Sequence, residues 1–118
     1  MNLGRLSALA MLASGIAGVV IPVRVATALD LPPTTGRGRA ETRAGLGGTY
    51  AALGAYGLLR GDRAGQQAVG FTWLGAAVAR LGSLAVDPPE TDWTYWAYLA
   101  GEIGLGAAAV LARPASRT

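Results

Sequence analysis

The chain of 118 residues has no cysteine and no histidine, and all ten of its basic residues are arginine, so lysine is missing as well. Without thiol or imidazole there is no thiolate nucleophile, no disulfide, no haem held by imidazole and no ordinary zinc or copper site; carboxylate sites for hard cations stay open. No cofactor and no metal are expected. Charge is also scarce, at 14% of residues, against about 25% in ordinary soluble domains. That is too little to cover the surface of a globule. Apolar residues reach 52%, more than one small core needs. A membrane acting as solvent accounts for both departures.

Ten arginines against seven acids give a net charge of +3. A nucleic-acid footprint needs cations clustered on one face or stripe, whereas these stand singly or in pairs between long apolar stretches. No nucleic-acid partner is expected, and the arginines read as flanks of membrane spans. The bilayer core is about 30 Å thick, so each helical span needs about 20 mostly apolar residues. The sequence offers four, at about residues 4–29, 40–60, 64–86 and 93–112. The first runs uncharged from Leu6 and continues past Pro22 and Arg24 to Leu29; the second extends back from Ala44 through Arg43 and Glu41. The third carries one internal charge, Arg80, and the fourth one, Glu102.

Between them lie Asp30 to Ala40 with Pro32, Pro33, Gly36 and Gly38, then the tight turn Gly61-Asp62, then Asp87 to Asp92 with Pro88 and Pro89. Such segments end helices. Short links between consecutive spans make antiparallel neighbours, which predicts an all-α fold: one domain, an up-down four-helix bundle integral to the membrane. Arg5, Arg60, Arg63, Arg113 and Arg117 then share one side, against Arg37 and Arg39 on the other, joined by Arg43 if the second span starts late. The positive-inside rule puts both termini in the cytoplasm. Trp93, Tyr95, Trp96 and Tyr98 fall at the outer start of the fourth span, where an aromatic belt belongs. A rival reading takes Arg5, the first apolar run and Ala26-Thr27-Ala28 as a secretory signal peptide. The run is long for that role, and its loss would leave three spans with termini on opposite sides.

Most of the glycines fall inside the spans. Small residues four apart let helices approach closely in lipid, and Ala10/Ser14/Gly18 and Ala44/Gly48/Ala52 are such ridges. Gly45, Gly47 and Gly48 are not a phosphate loop, because no strand precedes them and no Gly-Lys-Ser/Thr follows.

Charged side chains deep in lipid are costly and face the bundle interior with partners. Arg80 and Glu102 each sit roughly 9–11 Å below the outer boundary, on adjacent antiparallel spans. They are predicted to lie level and form an ion pair. Trp73, Ser83 and Asp87 recur at helical spacing from Arg80, and Tyr95, Tyr98 and Gly106 from Glu102. Asp87 and Glu41, near the outer boundary, are placed to share the guanidinium or to pair with Arg43. The candidate polar site is therefore Arg80, Glu102, Glu41, Arg43, Asp87 and Tyr98, in a vestibule open outward. Three accounts of it stand: a neutral pair that fixes helix register, a site for an anionic solute or lipid headgroup with Arg80 as donor and Glu102 as proton-exchanging neighbour, or a charge that faces a partner protein. Catalysis finds little support, since Ser14, Ser83 and the threonines have no histidine to activate them.

The run Glu41-Thr42-Arg43-Ala44-Gly45-Leu46-Gly47-Gly48, the segment Arg80-Leu81-Gly82-Ser83-Leu84 followed by Asp87, and Glu102 resemble a bacterial family of small four-helix membrane proteins known only as a domain of unknown function. The resemblance spans most of the chain. It implies the fold and a membrane location, marks Glu41, Arg43, Arg80, Asp87 and Glu102 for testing, and implies no activity. The expected protein is a non-enzymatic binding or accessory component of a bacterial cytoplasmic membrane. Its partners are the lipid bilayer and, where it assembles further, its own copies or a larger membrane complex. The alternative is a small carrier or channel for an anionic solute or lipid headgroup, using the outward-facing vestibule at Arg80 and Glu102; a path through one protomer would be narrow, which favours a pore between protomers.

Overall fold

The computed structural model describes residues 2–113, and all the regular structure among them is helical. In chain order the elements are α1 (Leu3–Val20), α2 (Pro22–Ala28), α3 (Gly36–Thr42), a π-helical stretch (Arg43–Gly48), α4 (Thr49–Arg60), α5 (Arg63–Val86) and α6 (Trp93–Leu111). Arg117 lies outside the described residues.

Side-chain caps set most of the starts. Asn2 accepts the Arg5 N–H at 2.7 Å, Thr35 that of Gly38 at 2.9 Å, Asp62 that of Gly65 at 3.0 Å and Asp92 that of Tyr95 at 3.1 Å. Each satisfies an N–H that the first helical turn leaves without a partner. Gly61, at φ 62°, ends α4 in the left-handed region that glycine adopts without cost. Asp30 takes the same conformation after α2, where the Leu31 N–H bonds the Ala26 carbonyl and the Asp30 N–H that of Thr27. This closes α2 with a Schellman motif.

Two predicted spans differ in detail. The first is broken at Ile21, with φ −128° and ψ 59°, because Pro22 has no N–H to continue the ladder and disfavours helical backbone in the residue before it. The second starts earlier than expected, at Gly36 inside the predicted loop. Its backbone stays helical through Arg43 and Thr49, so α3, the π-helical stretch and α4 form one rod. Within it the Thr49 N–H bonds the Ala44 carbonyl five residues back.

Helix α1 packs along the π-helical stretch and α4 on one side and along α6 on the other, while α5 packs against α6 and α4. Glycines permit this closeness. A Cβ on Gly15 would stand 2.1 Å from the Ala51 nitrogen, one on Gly54 2.4 Å from that of Leu12, and one on Gly18 2.6 Å from the Leu46 carbonyl oxygen. The seam on the second rod is therefore Gly47/Ala51/Gly54. The expected ridge Ala44/Gly48/Ala52 is rotated out of it, and Gly48 meets only the Arg43 carbonyl, at 3.8 Å. Between α5 and α6, Gly70 and Gly106 face one another.

The interior is made of small residues. Gly4, Ser7, Ala8, Met11, Gly15 and Gly18 are the buried residues of α1, and Met11 and Val69 are the largest fully buried apolar side chains. Two buried polar residues tie the end that holds the described termini: the Ser7 hydroxyl donates to the Leu105 carbonyl at 2.7 Å, and the Gln66 amide to that of Ala112 at 3.1 Å. Large apolar side chains point outward instead, among them Val20, Phe71, Val78, Val86, Trp93 and Leu111.

Candidate functional site

Helices α5 and α6 run antiparallel, and their register is fixed at both ends. Gln66 bonds the last carbonyls of α6 near the start of α5. At the other end Asp92 caps α6, and Tyr95, one turn in, donates its hydroxyl to the Arg80 carbonyl at 2.8 Å. Arg80 and Glu102 thereby come level. Arg80 Nε donates to Glu102 Oε1 at 2.8 Å and Nη2 to Oε2 at 3.1 Å. This two-pronged geometry is the strong form of the arginine–carboxylate pair. The Glu102 residue is buried, at 8% exposure. The guanidinium carbon lies 5.4 Å from the Tyr95 ring centre and 5.8 Å from that of Tyr98, within reach of cation–π attraction.

The pair lies on the wall of a cavity of about 460 Å³. Leu46 and Tyr50 from the second rod, Arg24 and Val25 from α2, and Trp73, Tyr98 and Leu105 also line it. Small residues such as Ala17, Ala28, Ala97 and Gly101 leave the room. Tyr50 and Trp73 stack with ring centres 6.0 Å apart and planes 17° from parallel. The Trp73 Nε1–H is buried and has no acceptor among the described residues, an arrangement that costs about 1–3 kcal/mol.

A second, polar pocket of about 360 Å³ lies beyond it, lined by Asp30, Glu90, Asp92, Thr91 and Thr94. Ala28, Leu29, Arg80 and Tyr98 line both spaces and form the partition between them. The Asp92 carboxyl is held below the usual carboxylate range, first by the Thr94 hydroxyl donating to it at 2.6 Å and then by the Tyr95 N–H.

Of the expected site residues, Arg80, Glu102 and Tyr98 come together. Glu41 does not join them; it pairs with Arg37 one helical turn away at 2.9 Å, and both side chains are exposed. Arg43 pairs with neither acid and instead donates to the Val19 carbonyl at the end of α1. That carbonyl is among the last four of α1, which no turn of the same helix satisfies. Asp87 caps the C-terminal end of α5 with its backbone and is exposed. Sequence reading placed Arg24 inside a continuous first span and passed over Tyr50. The signal for Arg24 was Pro22 beside it, since the break at Ile21 brings α2 onto the cavity. Tyr50 carried no signal, because its position depends on the π-helical stretch before it.

No family model, curated protein or solved structure matches the chain. Its chemistry must be read from the site itself. Among the described residues no cluster of acidic side chains is placed to hold a metal ion. The acidic and basic side chains of the cavity are Arg24, Arg80 and Glu102, and the rest of the lining is apolar, aromatic or hydroxyl-bearing. Such a space suits binding of an amphiphile: it offers guanidinium donors and apolar walls.

Proposed function

We propose that the chain is an integral membrane protein of a bacterial cytoplasmic membrane, an up-down four-helix bundle with both termini cytoplasmic, which binds a membrane component in its outward-facing cavity and catalyses no reaction. Its four spans are α1 continued by α2, the rod from α3 through α4, α5, and α6. The observation that carries this reading is the inverted distribution of side-chain size: small residues inside and large apolar ones outside. In water an exposed apolar surface this extensive would associate or aggregate, whereas in lipid it is the solvated face and small residues are what pack helices together.

Other features support it. Among the described residues two helices are long and apolar enough to cross a membrane, Leu3–Val20 and Arg63–Val86, and only 33% and 17% of their apolar windows is buried. The core helix of a soluble protein would be mostly buried. The molecule is 49 Å along its longest axis, matching a bilayer of about 40–45 Å with its headgroups. Arg5, Arg60, Arg63 and Arg113 gather at one end with Asp62 as the acid beside them, which orients that end to the cytoplasm. Trp93 and Trp96 are exposed at the opposite end, as belt residues.

Binding is favoured over conduction through a single protomer because the cavity stops short of the cytoplasmic end. Ser7, Met11 and Val69 fill that end, and a Cβ on Gly65 would lie 3.3 Å from the Gly57 backbone. The absence of native cysteine makes the topology directly testable. Single cysteines at Thr35 and Thr91 should react with a membrane-impermeant maleimide in intact cells, and those at Asn2 and Arg113 only after permeabilisation. The protein should also stay with membranes through carbonate extraction. Recovery in the carbonate supernatant, or labelling of all four positions alike, would defeat the reading.

A further inference from the structure

We infer that the cavity beside Arg80 and Glu102 holds one long-chain fatty acid, with its carboxylate at Arg24 and Arg80 and its chain directed toward Trp73; this rests on the membrane reading above. The argument begins with charge. Glu102 neutralises Arg80 through two hydrogen bonds, whereas Arg24 makes no ion pair among the described residues. The cavity lining therefore carries one uncompensated positive charge. Arg80 uses Nε and Nη2 on Glu102, which leaves the Nη1 hydrogens for a second acceptor.

Depth comes next. Trp73 lies seven residues before Arg80 on α5, two helical turns along the same face, and about 10 Å deeper. Leu46, Tyr50 and Leu105 also line the cavity, and its walls are mainly apolar. At about 460 Å³ the space falls among small-molecule sites, roughly 300–1,000 Å³, and is sized for a single chain. The outer pocket argues against a larger anionic headgroup. Asp30, Glu90 and Asp92 stand beyond the partition of Leu29 and Tyr98, so a phosphate reaching past it would meet three carboxylates. A carboxylate stops at the two arginines.

The detergent-purified full chain, with Trp93→Phe and Trp96→Phe leaving Trp73 as the one indole, gives the measurement. Stearate brominated at mid-chain, about 10 Å from its carboxylate and so level with Trp73, should quench Trp73 fluorescence more strongly than stearate brominated next to its carboxyl. Arg24→Gln, at an exposed unpaired site, should leave the melting temperature unchanged and weaken stearate binding about fivefold, the worth of a solvent-accessible ion pair. Methyl stearate should bind parent and variant equally and weakly. The reverse quenching order would put the carboxylate on the orphan Trp73 N–H and overturn the assignment. Equal binding of acid and ester, or displacement of stearate by phosphatidylethanolamine or an isoprenoid quinone at lower concentration, would also overturn it. Carbonate extraction of the same variants separates the two readings: a chain that stays in the membrane but fails these tests loses only the fatty acid, and a chain soluble without detergent loses both.

Discussion

Arg80 and Glu102 meet across α5 and α6 through two hydrogen bonds of 2.8 and 3.1 Å, with Tyr95 and Tyr98 against the guanidinium. Both hydrogen-bonded edges of the ion pair are satisfied, so its removal one residue at a time and its removal as a unit differ in cost. Glu102→Leu leaves a partly buried guanidinium without its carboxylate and should destabilise the protein by about 1–3 kcal/mol, less than a fully buried pair would lose. Arg80→Met with Glu102→Leu leaves no charge and should restore most of that loss. Thermal unfolding in detergent reads both. A double variant no more stable than the single one would show that the pair does more than neutralise itself.

The glycine seam makes a second prediction with its own control. Gly54→Ala brings a methyl group to 2.4 Å from the Leu12 nitrogen and 2.7 Å from its Cα. Neither atom can move without shifting α1, so a loss of about 1–3 kcal/mol is expected, as for overpacked cores. Gly75, Gly82 and Gly104 have nothing within 4 Å of such a methyl. Alanine there should be neutral or gain up to about 1 kcal/mol of helix propensity. Melting temperatures of the four single variants decide, and equal effects at all four would show that the seam is not tight.

Much of this was legible because it depends on residue type and count. The scarcity of charge, the spacing of Arg80 and Glu102, and the Pro and Gly punctuation at Pro88, Pro89 and Gly61 each act locally or through helix length. The features that escaped depend on backbone geometry propagated along the chain. The π-helical stretch from Arg43 to Gly48 changes which residues of the second rod face α1, so the seam falls on Gly47 and Gly54 rather than Gly48. The break at Ile21 carries Arg24 onto the cavity. Glu41 found a nearer donor in Arg37, and Arg43 a nearer acceptor in the Val19 carbonyl, than the partners expected for them.

The two buried polar residues at the end that holds the described termini should differ in importance. Ser7 donates to a carbonyl in the interior of α6, which also has its helical partner. Ser7→Ala should therefore cost only about 0.6 kcal/mol, the average of measured interhelical hydrogen bonds in membranes. Gln66 serves the carbonyls of Ala109 and Ala112 at the helix end, where no further turn supplies donors. Gln66→Leu should cost about 1–3 kcal/mol, the range for a buried polar group left without its partner. Unfolding in detergent would show the order, and a larger effect at Ser7 would contradict it.

The cap of α6 gives the pH dependence. Asp92 is ionised in the folded chain at pH values where it would begin to protonate when unfolded, because the Thr94 hydroxyl and the Tyr95 N–H both donate to the carboxylate. Its folded pKa is lowered, so its contribution is fully present above the ordinary aspartate value of about 3.9 and is lost as pH falls through the folded value below that. The start of α6 should loosen in that acid window, and fluorescence of the exposed Trp93 and Trp96 beside the cap should report it. Thr94→Val removes the first donor and should move the transition toward higher pH. Asp92→Asn keeps an acceptor for the Tyr95 N–H but has no titrating group, so its acid transition should vanish. Persistence of the same transition in Asp92→Asn would assign it to another carboxylate, with Asp30 and Glu90 lining the same pocket.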